Sequence, residues 1–285
     1  MARPCHSRYR GKVVALLTQH GKERVIAPVL EAALGCAVVR VSGYDTDRLG
    51  TFTREIPRAG TQLEAARKKA RLGMELSGLR LGVASEGAFG PDPVIGLTPW
   101  DLELIVFIDD ELGLELVGTA QGQAVFGHQL VADWESARSF ARQSGFPEHF
   151  LVVRPESEND PRIRKGISSW NELQEVFSWA LERSSNGMVC LETDVRAHAN
   201  PTRMQMIAQA AEDLAQKLTS CCPECGVPGF GPVERVAGLR CDWCGLPTRE
   251  TAAEIWGCPK CTHRVTRTRD DRMAADPQFC DYCNP

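Results

Sequence analysis

The chain has 285 residues, 43% of them apolar and 25% charged, with a formal net charge of -4 and a pI near 5.9. That length suits one large domain with a smaller one, and the composition is that of a folded chain, which excludes disorder as its main state. The slight acidity excludes a whole-surface basic field for nucleic acid or anionic membrane but leaves room for a local basic cleft.

No apolar run approaches the roughly 20 residues of a membrane span, and the opening MARPCHSRYRGK has no apolar signal-peptide core. The expectation is therefore a cytoplasmic protein without a membrane partner, in a reducing compartment. After the basic lead, Val13 to Leu17 reads as a buried strand, and Thr18-Gln19-His20-Gly21-Lys22-Glu23 turns into a helix from Arg24 to Leu34. A glycine-bearing turn at a helix start exposes backbone N–H groups to an anion, with Lys22 at hand to neutralise it. A capped strand-to-helix turn with no ligand has the same pattern. Ala37 to Val41 is the next strand. The long connection SGYDTDRLGTFTREIPRAG, with Asp45, Asp47, Arg48, Arg54, Glu55 and Arg58, reads as a lid or substrate loop.

The stretch from Gly60 to Pro93 organises the larger domain. Thr61 and Glu64 make a capping-box signature, and Leu63, Ala66, Ala70 and Met74 recur at helical spacing, which predicts a helix from Gln62 to Leu76 with Gly78 as terminator. Leu79 to Ala84 reads as a buried strand that delivers Glu86 into the glycine-rich loop SEGAFGP, and ligands of open α/β sheets gather at such carboxyl ends. Two carboxylates, Glu64 and Glu86, and the cations Lys68, Lys69 and Arg71 would then surround one loop of little bulk. That combination points to a divalent metal with a phosphate chain. Each acid has a plainer reading too: Glu64 completing the capping box, Glu86 solvated in a loop.

Leu102 to Asp109 and Leu114 to Thr119 read as an antiparallel pair extending the sheet. A helix from Asp133 to Ser144 leads through Gly145-Phe146-Pro147 to a strand at Phe150 to Val153, and PESENDPRIRKG reads as a surface loop. Ser169 caps a helix to Glu182 that buries Trp170, Leu173, Phe177 and Leu181 on one face, and Met188 to Thr193 is a further strand with polar residues at its end. Asn200 as N-cap and Pro201 at the first position open a helix to Leu218. Arg203 in its first turn opposes the helix dipole, so it should face an anion or a nearby acid such as Asp194 or Glu192.

Of twelve cysteines, eight form four Cys-x-x-Cys pairs: Cys222/Cys225, Cys241/Cys244, Cys258/Cys261 and Cys280/Cys283. In a chain read as cytoplasmic this spacing means metal, two structural zinc ions in two Cys₄ sites. Cys5, Cys36, Cys190 and Cys221 are left over, Cys221 being an alternate ligand. Pairing in sequence, first with second and third with fourth, gives two hairpin ribbons and is the expected arrangement; nested or crossed pairing uses the same ligands. The residues after 218 hold eight Lys or Arg against nine Asp or Glu, with Arg264, Arg267 and Arg269 as a local basic strip. The domains are expected at 1–218, a nucleotide-binding α/β domain, and 219–285, a double zinc ribbon.

Residues 1–215 or so resemble the inosine triphosphate pyrophosphatase and Maf-like superfamily in a series of short motifs. Thr18 to Lys22 looks like its T-x-N-x-x-K turn, with His20 at the Asn position; Thr61, Glu64, Ala66, Lys69 and Ala70 look like its T-F-x-E-N-A-x-x-K-A helix, with Ala65 for Asn. Ala84-Ser85-Glu86-Gly87 looks like its acidic strand end, Gly145-Phe146-Pro147 with Phe150 like its base-recognition turn without the Asp, and Arg203 like the Arg of its S-H-R segment. The resemblance implies a mixed sheet flanked by helices and a pyrophosphohydrolase of nucleoside triphosphates dependent on Mg²⁺ or Mn²⁺. It implies Glu86 and Glu64 as catalytic acids and Thr18, Gly21, Lys22, Lys69 and Arg203 as phosphate and nucleotide contacts. The other class of reading is a non-catalytic nucleotide-sensing domain whose zinc tail contacts nucleic acid or protein. The whole chain, with HGKE, SEGAFGP, NPTRM and the cysteine tail, also resembles an uncharacterised bacterial family of unknown function.

Overall fold

A computed structural model describes residues 8–46 and 60–285. The chain divides into two compact units, one of residues 12–32 and 36–214, the other of 215–285 with the short segments 8–11 and 33–35.

The larger unit holds two sheets. The first has the order β2-β1-β3-β4-β5, built from β1 (Val13–Leu17), β2 (Ala37–Val41), β3 (Leu81–Pro91), β4 (Pro99–Asp109) and β5 (Leu114–Gln123). β1 pairs in parallel with β2 and β3, whereas β4 and β5 run antiparallel. Helix α1 (Glu23–Leu34) joins β1 to β2, and α2 (Gln62–Ser77) precedes β3. Thr61 and Glu64 form the expected capping box on α2, and Gly78 closes it in the left-handed conformation. Ala66, Ala70 and Met74 of α2 then pack on Ala84, Leu104, Val106 and Ile108, which fixes that face of β3 and β4 as core. Truncating a buried side chain such as Ile108 would cost about 2–5 kcal/mol in lost transfer and cavity terms.

The second sheet has the order β6-β9-β7-β8, all antiparallel: β6 (His128–Val131), β7 (Leu151–Pro155), β8 (Arg164–Ile167) and β9 (Val189–Thr193). Helices α3 (Trp134–Gln143) and α4 (Trp170–Arg183), capped by Asp133 and Ser169, cover its core of Phe140, Leu151, Val153, Leu173, Phe177 and Leu191. Helix α5 (Pro201–Thr219) is capped by Asn200, whose Oδ1 accepts from Arg203 N at 2.9 Å, and Asp213 on it accepts from Thr119 N of β5 at 2.7 Å. The smaller unit carries an antiparallel sheet, β10 (Gly231–Ala237), β11 (Thr251–Gly257) and β12 (Arg264–Thr268).

Two expectations change. β3 does not stop at Ala84 but runs through SEGAFGP to Pro91, so the expected glycine-rich loop is strand. Glycine is ordinarily turn punctuation, but here β4 supplies ladder partners along the whole stretch, from Leu81↔Asp109 to Pro91↔Pro99. The expected surface loop PESENDPRIRKG contributes Arg164 onward to β8. Residues 47–59 of the lid expected from the 42–60 connection lie outside the described residues.

Candidate functional site

β1 ends at Leu17, one residue after its last pairing with β3 (Leu16↔Val83), so β3 and β4 project past it. The following turn passes through left-handed backbone at His20 (φ 65°) and Gly21 (φ 74°) and delivers Lys22, 8% exposed, into the space beyond the strand end. Lys22 Nζ donates to Ser85 Oγ of β3 at 3.2 Å. Burial and the nearby Arg203 guanidinium lower the Lys22 ammonium to about 8, with Glu103 pulling the other way. Thr18 is buried, its hydroxyl donating to Gln19 O at 3.0 Å.

Alternation along paired strands sorts the remaining groups onto two faces. Ser85, Gly87 and Phe89 of β3 share a face with their cross-strand neighbours Ile105, Glu103 and Asp101 of β4. On this face Glu103, fully buried, accepts from Arg203 Nε at 2.6 Å; Arg203, 2% exposed, also donates from Nη1 to Val195 O at 2.5 Å and lies 5.5 Å from the Phe89 ring centroid. Asp101, 2% exposed, is pushed up to about 7, first by burial and then by Glu103, against the pull of Arg203 and Lys22. Asp101 Oδ1 and Glu103 Oε2 are buried and have no hydrogen-bond partner. His20 stacks on His198 with ring centroids 5.0 Å apart, and burial together with His198, Arg196, Lys22 and Arg203 lowers His20 to about 4.

The other face carries Glu86, which is buried in mid-strand and ion-paired with Lys69 of α2. Gln62 Nε2 ties this helix to the strands, donating to Glu86 O and Leu102 O at 2.8 Å each. Glu64 is exposed, and its Oε2 accepts from Thr61 N at 2.7 Å and Thr61 Oγ1 at 3.0 Å, so its carboxylate serves the helix cap. The structure thus brings Lys22, Arg203 and Thr18 to the strand end, places Lys69 and Glu86 together across the sheet, and leaves Glu64 at the helix start. Asp101 and Glu103 were missed in the sequence. Their signal is WDLELIVFID, an apolar strand interrupted by two acids at i and i+2, hence on one face. Arg203 meets an acid as expected, but the acid is Glu103 rather than Asp194 or Glu192; Asp194 pairs with Arg196 at 2.5 Å.

In the smaller unit the eight cysteines of the four pairs gather into two tetrads whose sulfurs all lie within 4.8 Å of one another: Cys222, Cys225, Cys258 and Cys261, and Cys241, Cys244, Cys280 and Cys283. Sγ separations of 3.7 Å (Cys222 to Cys261), 3.5 Å (Cys225 to Cys258), 3.9 Å (Cys241 to Cys283) and 3.6 Å (Cys244 to Cys280) match the roughly 3.8 Å edge of a tetrahedron with 2.3 Å bonds. Each tetrad could hold a zinc ion. Gly226 (φ 69°) and Gly245 (φ 71°) follow the first two pairs in the left-handed region, and their N–H groups close each turn on Cys222 O and Cys241 O at 2.9 Å.

The pairing is first with third and second with fourth, which corrects the expected sequential ribbons. Antiparallel β10 and β11 explain it: the first pair enters β10 and the third leaves β11 at the same end, where Gly231 faces Gly257. The second pair sits at the opposite end, and there the chain returning from β12 joins it through Asp242 N to Ala275 O at 3.0 Å and Ala275 N to Arg240 O at 2.7 Å. Cys221 lies outside both tetrads, and Cys36 and Cys190 are buried elsewhere. Among the described residues these tetrads are the groups of three or more His, Cys, Asp or Glu ligand atoms close enough to hold a metal. No helix among them is long and apolar enough to cross a membrane. A family profile described as Domain of unknown function (DUF6671) matches residues 69–285, and no curated protein matches the chain.

Proposed function

The chain belongs to the DUF6671 family, and we propose that its α/β unit binds a nucleoside triphosphate by its phosphates and hydrolyses it to a monophosphate and pyrophosphate with magnesium or manganese. The inosine triphosphate pyrophosphatase-like architecture is part of this proposal. The observation that carries it is the pair of buried carboxylate oxygens, Asp101 Oδ1 and Glu103 Oε2, left without hydrogen bonds on the face shared by the buried cations Lys22 and Arg203. A buried polar atom left unsatisfied costs about 1–3 kcal/mol, more if charged, so a ligand that brings a cation to the acids and an anion to Lys22 fits both needs. Magnesium suits such a site because it takes one or two carboxylates and fills its remaining positions with water and substrate phosphates. When bound, it would stabilise charge on the phosphoryl oxygens.

The chain's own residues supply the rest. Lys22 and Arg203 neutralise phosphate charge, the Thr18 to Gly21 turn presents backbone N–H groups, and Asp101, poised near neutrality, accepts the proton of an attacking water. Glu86 is the weaker candidate for that base role, because Lys69 already neutralises it. The same proposal gives each cysteine tetrad one structural zinc, its four thiolates closing the coordination shell.

The test is pyrophosphate release from a panel of nucleoside triphosphates by the full chain with magnesium or manganese. Asp101→Asn should cut turnover about 100-fold with little change in unfolding, in line with loss of a general base. In the metal-free protein, nucleotide affinity should fall as pH rises, first as Asp101 loses its proton near 7 and again as Lys22 loses its own near 8. Absence of both nucleotide binding and cleavage overturns the reading. A second reading, a nucleotide-sensing module, is favoured by the Glu103–Arg203 and Glu86–Lys69 ion pairs, which leave each acid already matched; it predicts binding without pyrophosphate release.

A further inference from the structure

The smaller unit carries a groove of about 800 Å³ across its three-stranded sheet. Register aligns Arg235 of β10 with Glu254 of β11 and Glu254 with Arg267 of β12, one row across three strands. A glutamate between two arginines would be expected to pair with one of them. Instead Glu254 Oε2 accepts from Trp256 Nε1 at 3.0 Å, while the Arg267 guanidinium stacks on the Trp256 ring, 3.7 Å from its centroid. Arg269 is occupied differently, in a two-bond pair with Asp271 at 2.7 and 2.9 Å. The row thus carries one acid and two exposed guanidinium groups, one of them over an indole, and Thr266 and Thr268 also line the groove.

We infer that this groove binds single-stranded nucleic acid, with Arg235 and Arg267 contacting phosphate or base and the Trp256–Arg267 stack acting as a platform for an unpaired base. An acidic peptide would satisfy the two positive charges but would leave the planar stack unused, whereas single strands use guanidinium and aromatic planes together. The lining as a whole is balanced, Arg235, Arg267 and Arg269 against Glu254, Asp270 and Asp271, so stacking rather than net charge is the main attraction it offers such an occupant. Duplex binding draws on many neutralised phosphates, while a stacked single strand needs few.

The test uses the full chain and fluorescein-labelled oligothymidylate and oligouridylate of about 15 nucleotides, read by anisotropy across a salt series. Two neutralised phosphates predict a slope of log K on log salt of about -1.4. Arg267→Ala should weaken binding roughly tenfold, and Arg235→Ala should flatten the slope by about 0.7, each with protease resistance of residues 215–285 unchanged. Because both arginines are exposed, the two variants check each other should one disturb the fold. No binding of either oligonucleotide overturns the inference. So does binding that neither variant alters, or displacement of the oligonucleotide by polyglutamate at equal charge concentration.

Discussion

Gly87 sits where any side chain would collide with the pair that anchors the buried cluster: a Cβ there would lie 2.1 Å from Glu103 Oε1 and 2.6 Å from Arg203 Nη2. Neither group has room to retreat, since both are buried and Arg203 is also held by Val195 O. Gly87→Ala should therefore lower stability by about 1–3 kcal/mol, the usual range for overpacking, and more if the ion pair parts. Urea denaturation would measure it, and an unchanged midpoint would mean that Glu103 and Arg203 do not meet beneath Gly87. This glycine was visible in the sequence only as loop punctuation. Its actual reason is a residue sixteen positions on and another far down the chain, a relation that no local pattern encodes.

The interleaved tetrads belong to the scale of elements, where antiparallel β10 and β11 decide which cysteine pairs meet. Zinc content separates the pairings cleanly. Replacing Cys222, Cys225, Cys258 and Cys261 together by Ser should remove one zinc and leave one, whereas replacing Cys222, Cys225, Cys241 and Cys244 should remove both. Native mass spectrometry reads the count, and the reverse result would restore sequential ribbons. The ligands were legible because Cys-x-x-Cys spacing is local chemistry; their partners were not, because strand direction sets them. The elements show the same division. Strand β1 and the α2 capping box were readable from periodicity and a cap, while β3 was cut short because Gly87 and Gly90 mimic a turn. Asp101 escaped attention because the strand was expected to begin at Leu102, and Glu103 because it lies within an otherwise apolar run.

At the scale of the whole molecule, the two units differ in what replaces water around their interiors. The larger has apolar cores of its own, including the Phe140, Leu151, Leu173 and Phe177 cluster and the α2 cluster on β3 and β4. In the smaller, large hydrophobics such as Trp243, Met273 and Tyr282 are exposed, at 77%, 92% and 75%, so little apolar area is withdrawn from water there. Chelation should therefore unfold residues 215–285 while the helices and strands of 12–214 persist, as measured by limited proteolysis beside circular dichroism. A tail that stays protease-resistant without metal would contradict this. The crossed pairing also has a consequence for synthesis and cleavage. As the chain emerges during translation, no site can close before Cys261 appears, and the other waits for Cys283. Once both are loaded, a protease that nicks the segment between Gly245 and Thr251 would leave two pieces sharing both ions. The severed tail would stay clasped by its metals, and would come apart only when they were withdrawn.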